Sequence, residues 1–182
     1  MSEHEAIQQS LLKQFSTYKN MAEKAMAQLS PEDFLREPAP GSNCIAVICR
    51  HMVGNMLSRF TNFSTEDGEK PWRNRDEEFE KPQEGWPSTA AGEKWDQAWE
   101  TVYDAIRNIP PGGFAKTVTI RHEPHTAFDA IARQLSHYAS HVGQIVYIAK
   151  MLKGDEWKTL SIAPNQSASF NQQMQQKFGQ QP

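Results

Sequence analysis

The chain has little cysteine, no long apolar run and no surplus of one charge, and each shortage removes a class of protein. Two cysteines in 182 residues cannot staple a disulfide scaffold. On a shared helix, Cys44 and Cys49 would stand about 7.5 Å apart along its axis, beyond the ~7 Å that a disulfide tolerates between Cα atoms. Both are expected as free, buried thiols. No segment approaches the roughly 18 uncharged apolar residues of a membrane span. The opening MSEHEAIQQS is polar and acidic, unlike a secretory leader, so a cytoplasmic protein with no membrane partner is expected. A net charge of -3 offers no basic surplus for counterion-driven nucleic-acid binding. A Gly-rich phosphate loop, a Gly-x-Ser-x-Gly elbow and Glu-x-x-His pairs are also missing. Nucleotide binding, serine hydrolysis and carboxylate-bridged di-iron chemistry therefore have no local support.

What is present is helical periodicity over a single domain, 1–182. Ile7, Leu11, Phe15, Tyr18, Ala22, Met26 and Leu29 recur at three- and four-residue intervals and predict a first helix over about 4–29. Ser30-Pro31 begins a short helical turn, and Pro38, Pro40 and Gly41 break the chain. Ser42 is expected to cap a second helix over about 43–62, carrying Ile45, Ile48, Met52, Met56 and Phe60 on one face. A third, about 88–109, starts near Ser88 and carries Trp95, Trp99, Val102, Ile106 and Ile109. The fourth, about 126–152, opens with Thr126 and Asp129 at capping-box spacing. Only Asp129, Arg133, Lys150 and Lys153 are charged between Thr126 and Lys153, so this helix is expected to be nearly surrounded by protein, with Ala132, Ala139 and Gly143 admitting a close neighbour. Lys116 to Arg121 alternates like a strand but is solitary, and is expected as an extended connector. The fold class is all-α, a four-helix bundle. A long connector between the second and third helices lets them run parallel, an up-down-down-up arrangement. A Gln-rich tail over 154–182 follows, in which Phe170, Met174 and Phe178 could form a docking helix or remain disordered.

Chemistry concentrates in histidines. His137 and His141 lie four apart on the fourth helix, about 6 Å along its axis, a spacing at which two imidazoles can share a divalent ion. The same spacing suits a pair of hydrogen-bonded core histidines. Beside them run Gln134 and Gln144, and the second helix carries a comparable polar stripe, His51, Asn55, Ser58 and Asn62. His51 could add a third nitrogen, leaving a coordination position open, as catalytic sites do. Imidazole suits zinc, nickel or iron alike. His122-Glu123-Pro124-His125 lacks the spacing and the helix of a zinc-protease motif; its histidines are expected in a turn.

With Cys49-Arg50-His51-Met52-Val53-Gly54-Asn55-Met56 and Gln134-Leu135-Ser136-His137-Tyr138-Ala139-Ser140-His141-Val142-Gly143-Gln144-Ile145, the chain resembles the DinB-like superfamily of metalloenzymes, which includes bacillithiol transferases. Pro38 to Ser42, the Asp67 to Asp76 connector, Leu160-Ser161-Ile162 and Phe170-Asn171 resemble a functionally uncharacterised branch of it. The resemblance implies an up-down-down-up bundle, a divalent metal on His51, His137 and His141, and a homodimer.

The enzyme reading is transfer of a low-molecular-weight thiol, bacillithiol-like, to an electrophilic small-molecule substrate. Lowering a thiol pKa from about 8.5 to about 6.5 asks the metal for roughly 2.7 kcal/mol. Asn55, Gln134 and Gln144 could orient ligands from behind; Tyr138 is a donor or simple packing. Arg73 and Arg75 could hold substrate carboxylates or pair internally with Asp76, Glu77 and Glu78. Trp72, Phe79 and Trp86 are expected to pin this connector to the body. The alternatives are a non-catalytic metal-binding dimeric bundle with a sensor or interaction role, and a metal-dependent hydrolase.

Overall fold

The computed structural model of the chain describes residues 1–81 and 89–179. The protein is mostly helical: α1 (Glu3–Met26), α2 (Ile45–Phe60), α3 (Thr89–Arg107), α4 (Ala127–Lys153) and α5 (Ser167–Phe178), with a small antiparallel sheet of β1 (Thr117–Ile120) and β2 (Glu123–Thr126). Among the described residues no helix is long and apolar enough to cross a membrane. α1 packs chiefly on α4 and α2 on α3, with lesser contacts of α1 with α3 and α2 with α4.

Local chemistry sets the helix ends. The Ser2 hydroxyl accepts from the Glu5 N–H at 3.2 Å while the Glu5 carboxylate accepts from the Ser2 N–H at 2.7 Å, a capping box. The Thr126 hydroxyl caps α4 by accepting from the Asp129 N–H at 3.0 Å, as expected. α2 is shorter than expected at both ends. Ser42 lies in a turn closed by its N–H donating to the Ala39 carbonyl at 3.0 Å, with Gly41 at a φ of 79°, and Cys44 is the N-cap, without a side-chain cap hydrogen bond. At the other end Thr61 is extended and Asn62 has a φ of 51°. Asn62 is therefore exposed and not part of the polar stripe, whereas His51, Asn55 and Ser58 are buried.

Cys44 and Cys49 are free and buried. Phe15 of α1, Trp99 of α3 and Tyr138 of α4 meet edge to face at the centre, their ring centroids 5.9 to 6.5 Å apart. Aromatic pairs at such separations add to simple area burial.

Three expectations fail for identifiable reasons. Lys116 to Arg121 is not a solitary connector, because β1 pairs with β2 in the register Thr117↔Thr126 to Ile120↔Glu123. The two-residue turn, Arg121 and His122, places both residues at positive φ, 55° and 65°, without the Asn-Gly that usually announces such a turn. Its support is remote: the Asp67 carboxylate accepts from the backbone N–H groups of Arg121 at 2.8 Å, His122 at 2.9 Å and Glu69 at 2.7 Å. α4 is not surrounded either, since Phe128, Tyr147 and Met151 are exposed and no described residue lies within 4 Å of a Cβ added at Gly143. Few charges identify an uncharged helix, not a covered one; α2 is the more deeply buried, and it tolerates Arg50 and Arg59 because both are paired. Trp72 is exposed rather than an anchor, whereas Phe79 packs against the body. Trp86 and Ser88 lie outside the described residues. α5 is helical with no buried residue.

Candidate metal centre

His51 on α2 and His137 and His141 on α4 converge. His137 Nε2 stands 3.3 Å from His51 Nε2 and 2.9 Å from His141 Nε2. Ligand atoms of all three lie within 4.8 Å of one another, so this group could hold a metal ion. Zn–N bonds of about 2.05 Å at the tetrahedral angle put nitrogens about 3.3 Å apart. The described residues contain no other such group of His, Cys, Asp or Glu.

The outer nitrogens explain why the inner ones face each other. His51 Nδ1 lies 2.9 Å from Glu78 Oε2, and His141 Nδ1 lies 2.9 Å from the Gln144 side-chain oxygen. Each acceptor draws the proton to Nδ1 and leaves a lone pair on Nε2. A neutral His137 can donate from Nε2 to only one of those two lone pairs. A cation satisfies all three nitrogens together, so the donor set fits a divalent metal. Burial, then the charges of His141, His51, Arg73 and Arg59, push the His137 pKa down to about 3. Burial, against the Gln144 hydrogen bond and with the His51 charge, lowers that of His141 as well. Neutral imidazole is the form that binds metal.

Glu78 reaches this site from a short 3-10 turn at Asp76–Phe79 laid over α2. Arg50 on α2 clamps that turn, donating to the carbonyl oxygens of Glu78, at 2.9 Å, and Glu80. Arg73 donates to both carboxylate oxygens of Glu78, at 2.7 and 2.9 Å. Burial works to raise the Glu78 carboxyl, but His51 and Arg73 hold it below the ordinary carboxylate range. The approach requires Gly54: a Cβ there would overlap Glu78 Oε1 and lie 2.8 Å from its Cδ.

The other expected site residues divide. Gln144 orients His141. Tyr138 is fully buried and its hydroxyl donates to Asn55 Oδ1 at 2.9 Å, so it positions Asn55 from within the core. Gln134 is buried, its side-chain oxygen without a hydrogen-bond partner among the described residues. Arg73 pairs internally with Glu78, while Arg75 lies over the Phe79 ring with Asp76 at 4.0 Å. His122 is exposed at the hairpin turn, and His125 sits on β2 against Asp129 at 2.7 Å; neither belongs to the histidine group.

The family model for DUF1572, described as a protein of unknown function, matches residues 3–166. The chain belongs to the DUF1572 family. No curated protein matches its sequence. The match to the DUF1572 model spans all three histidines, the Glu78 turn and the hairpin. Sequence reasoning missed Glu78 as a histidine partner, Gly54 and Asp67. Glu78 is 27 residues from His51 in an acidic connector that carries no periodic signal.

Proposed function

We propose that this DUF1572 protein is a metal-dependent enzyme of the DinB-like type that transfers a low-molecular-weight thiol to an electrophilic substrate. The convergence of three imidazole Nε2 atoms, two of them with Nδ1 tied to an acceptor, carries the reading. His51, His137 and His141 would hold the ion, whose chemistry is to favour the thiolate of a thiol brought beside it. The protein's own part is orientation. Glu78 and Gln144 aim the rings, and Gly54 leaves room for the Glu78 carboxylate. Asn55, held by Tyr138, and Gln134 present amide groups to the cavity beside His51 and His137. In the transfer the thiol proton passes to solvent, an S–C bond forms to the electrophilic carbon, and the leaving group departs with its bonding pair.

The same reading takes the four long helices as an up-down-down-up bundle, supported by the pairing of α1 with α4 and of α2 with α3. It takes the working form as a cytoplasmic homodimer, for which exposed Phe128, Tyr147 and Met151 on α4 supply apolar surface. Elemental analysis of the purified protein, then transfer of several thiols, bacillithiol among them, to a generic electrophile by wild type and His141→Ala, tests it. Bound metal with thiol turnover lost in the variant is the expected result. Bound metal with no thiol reacting faster than in His141→Ala sinks the enzyme, and turnover without thiol makes it a hydrolase.

A further inference from the structure

Five of the chain's eight arginines line one cavity of ≈ 200 Å³ that opens beside His51 and His137: Arg59, Arg73, Arg75, Arg121 and Arg133. They come from α2, the connector, the hairpin turn and α4, so no local charge run explains the cluster. Among the described residues no carboxylate lines the cavity. Among the described residues the acids that pair with these arginines, Glu69, Asp76, Glu78 and Glu123, are not part of the lining and are fewer than the arginines. Glu69 is shared by Arg59 at 3.1 Å and Arg121 at 2.7 Å; Asp76 is 4.0 Å from Arg75 and Glu123 3.7 Å from Arg133. Each guanidinium offers five N–H donors and no acceptor. Arg73 supplies an independent sign: its side chain is only 2% exposed, yet Nη1 has no hydrogen-bond partner among the described residues. A buried cationic donor left in that state is the complement of an oxyanion. Asp67 and Glu69 hold Arg121 in place through the turn, and Glu78 holds Arg73, so the array is built before a ligand arrives.

We propose that this cavity binds the anionic group of a small carboxylate- or phosphate-bearing molecule, with Arg73 Nη1, Arg75, Arg121 and Arg133 as its donors and the uncharged end directed to the histidines. The role of the histidine end rests on the metal reading above; the anion site stands on the arginines alone. A volume near 200 Å³ suits a small metabolite's acidic group rather than a macromolecule.

Calorimetric titration of metal-free protein with succinate, inorganic phosphate and the neutral isostere succinamide, at constant ionic strength, tests the assignment. The measurement is repeated on Arg75→Gln and Arg133→Gln, whose side chains are 50% and 53% exposed, with the melting temperature checking that each remains folded. Saturable binding of at least one anion but not of succinamide, weakened about tenfold by each substitution, is expected. Which anion binds more tightly tells carboxylate from phosphate. Equal binding of succinamide, no saturable binding at millimolar concentration, or anion affinity indifferent to both substitutions overturns it. Zinc titration of the same samples separates the two readings: zinc bound without anion sinks this inference alone, and anion bound without zinc sinks only the metal centre.

Discussion

Replacing Glu78 by Gln keeps the shape of the side chain and removes its charge, and the structure says what that costs. The carboxylate accepts three hydrogen bonds, from His51 Nδ1 and from Nε and Nη2 of Arg73. In the variant the amide oxygen can keep one strong acceptor role, while the amide nitrogen meets a donor. Hydrogen bonds to charged groups contribute about 1.5–3 kcal/mol against about 1 for neutral ones, so the metal-free variant is expected to lose about 2–3 kcal/mol in urea denaturation. Freed His51 should also cost metal affinity, about 10- to 100-fold for loss of such a histidine partner, read by zinc titration against a chelator. Gly54→Ala is the sharper test because its sign is diagnostic. Alanine inside a helix is ordinarily worth about 0.5–1 kcal/mol over glycine. Here the new Cβ must evict the Glu78 carboxylate, so the variant should be less stable and bind zinc more weakly. A Gly54→Ala protein more stable than wild type, or a folded Glu78→Gln protein with unchanged zinc affinity, would refute the coupling of Glu78 to His51.

Tyr138→Phe removes the hydroxyl that donates to Asn55 Oδ1, and should cost about 1–3 kcal/mol by thermal denaturation because Asn55 is left buried without that donor. Burial works to raise the Asp67 carboxyl, but hydrogen bonds from Glu69, His122, Thr119 and Arg121 hold it well below the ordinary range. Asp67→Ala should therefore destabilise the protein by about 2 kcal/mol and raise hydrogen exchange at the hairpin amides first. The lowered pKa values of His137 and His141 give the metal-free protein a one-sided acid sensitivity. Above the ordinary histidine value of 6.5 both states are neutral and nothing is lost. As pH falls below it the unfolded chain takes up protons that the folded one refuses, so the melting temperature should drop. Below about pH 4 the depressed Asp67 and Glu78 add a second loss, because their contribution is present above the unfolded carboxylate pKa and disappears as pH falls through the folded one. In His137→Ala the first phase should shrink.

Helices were legible because their signal is periodic and local. The buried faces of α1 and α3, and the Thr126 cap, follow from residues three and four apart. The three histidines were legible as candidates for the same reason, two sharing a face of α4 and one standing on a polar stripe of α2. The hairpin was not, because its turn residues are Arg and His and what stabilises them is a carboxylate 54 residues away. The exposed side of α4 was misread because small and aromatic residues serve equally in a core and on a surface.

By itself, then, the sequence determined which segments coil, which faces turn inward and which residue types were available for a metal. It could do so because a 3.6-residue period is written along the chain. Tertiary structure alone decided that Glu78 stands behind His51, that Gly54 makes room for it, and that arginines from four separate segments share a wall beside the histidines. Those juxtapositions depend on the path of the connector between α2 and α3 and on the turn before α4, where side chains alternate with no period and partners are chosen by space and charge.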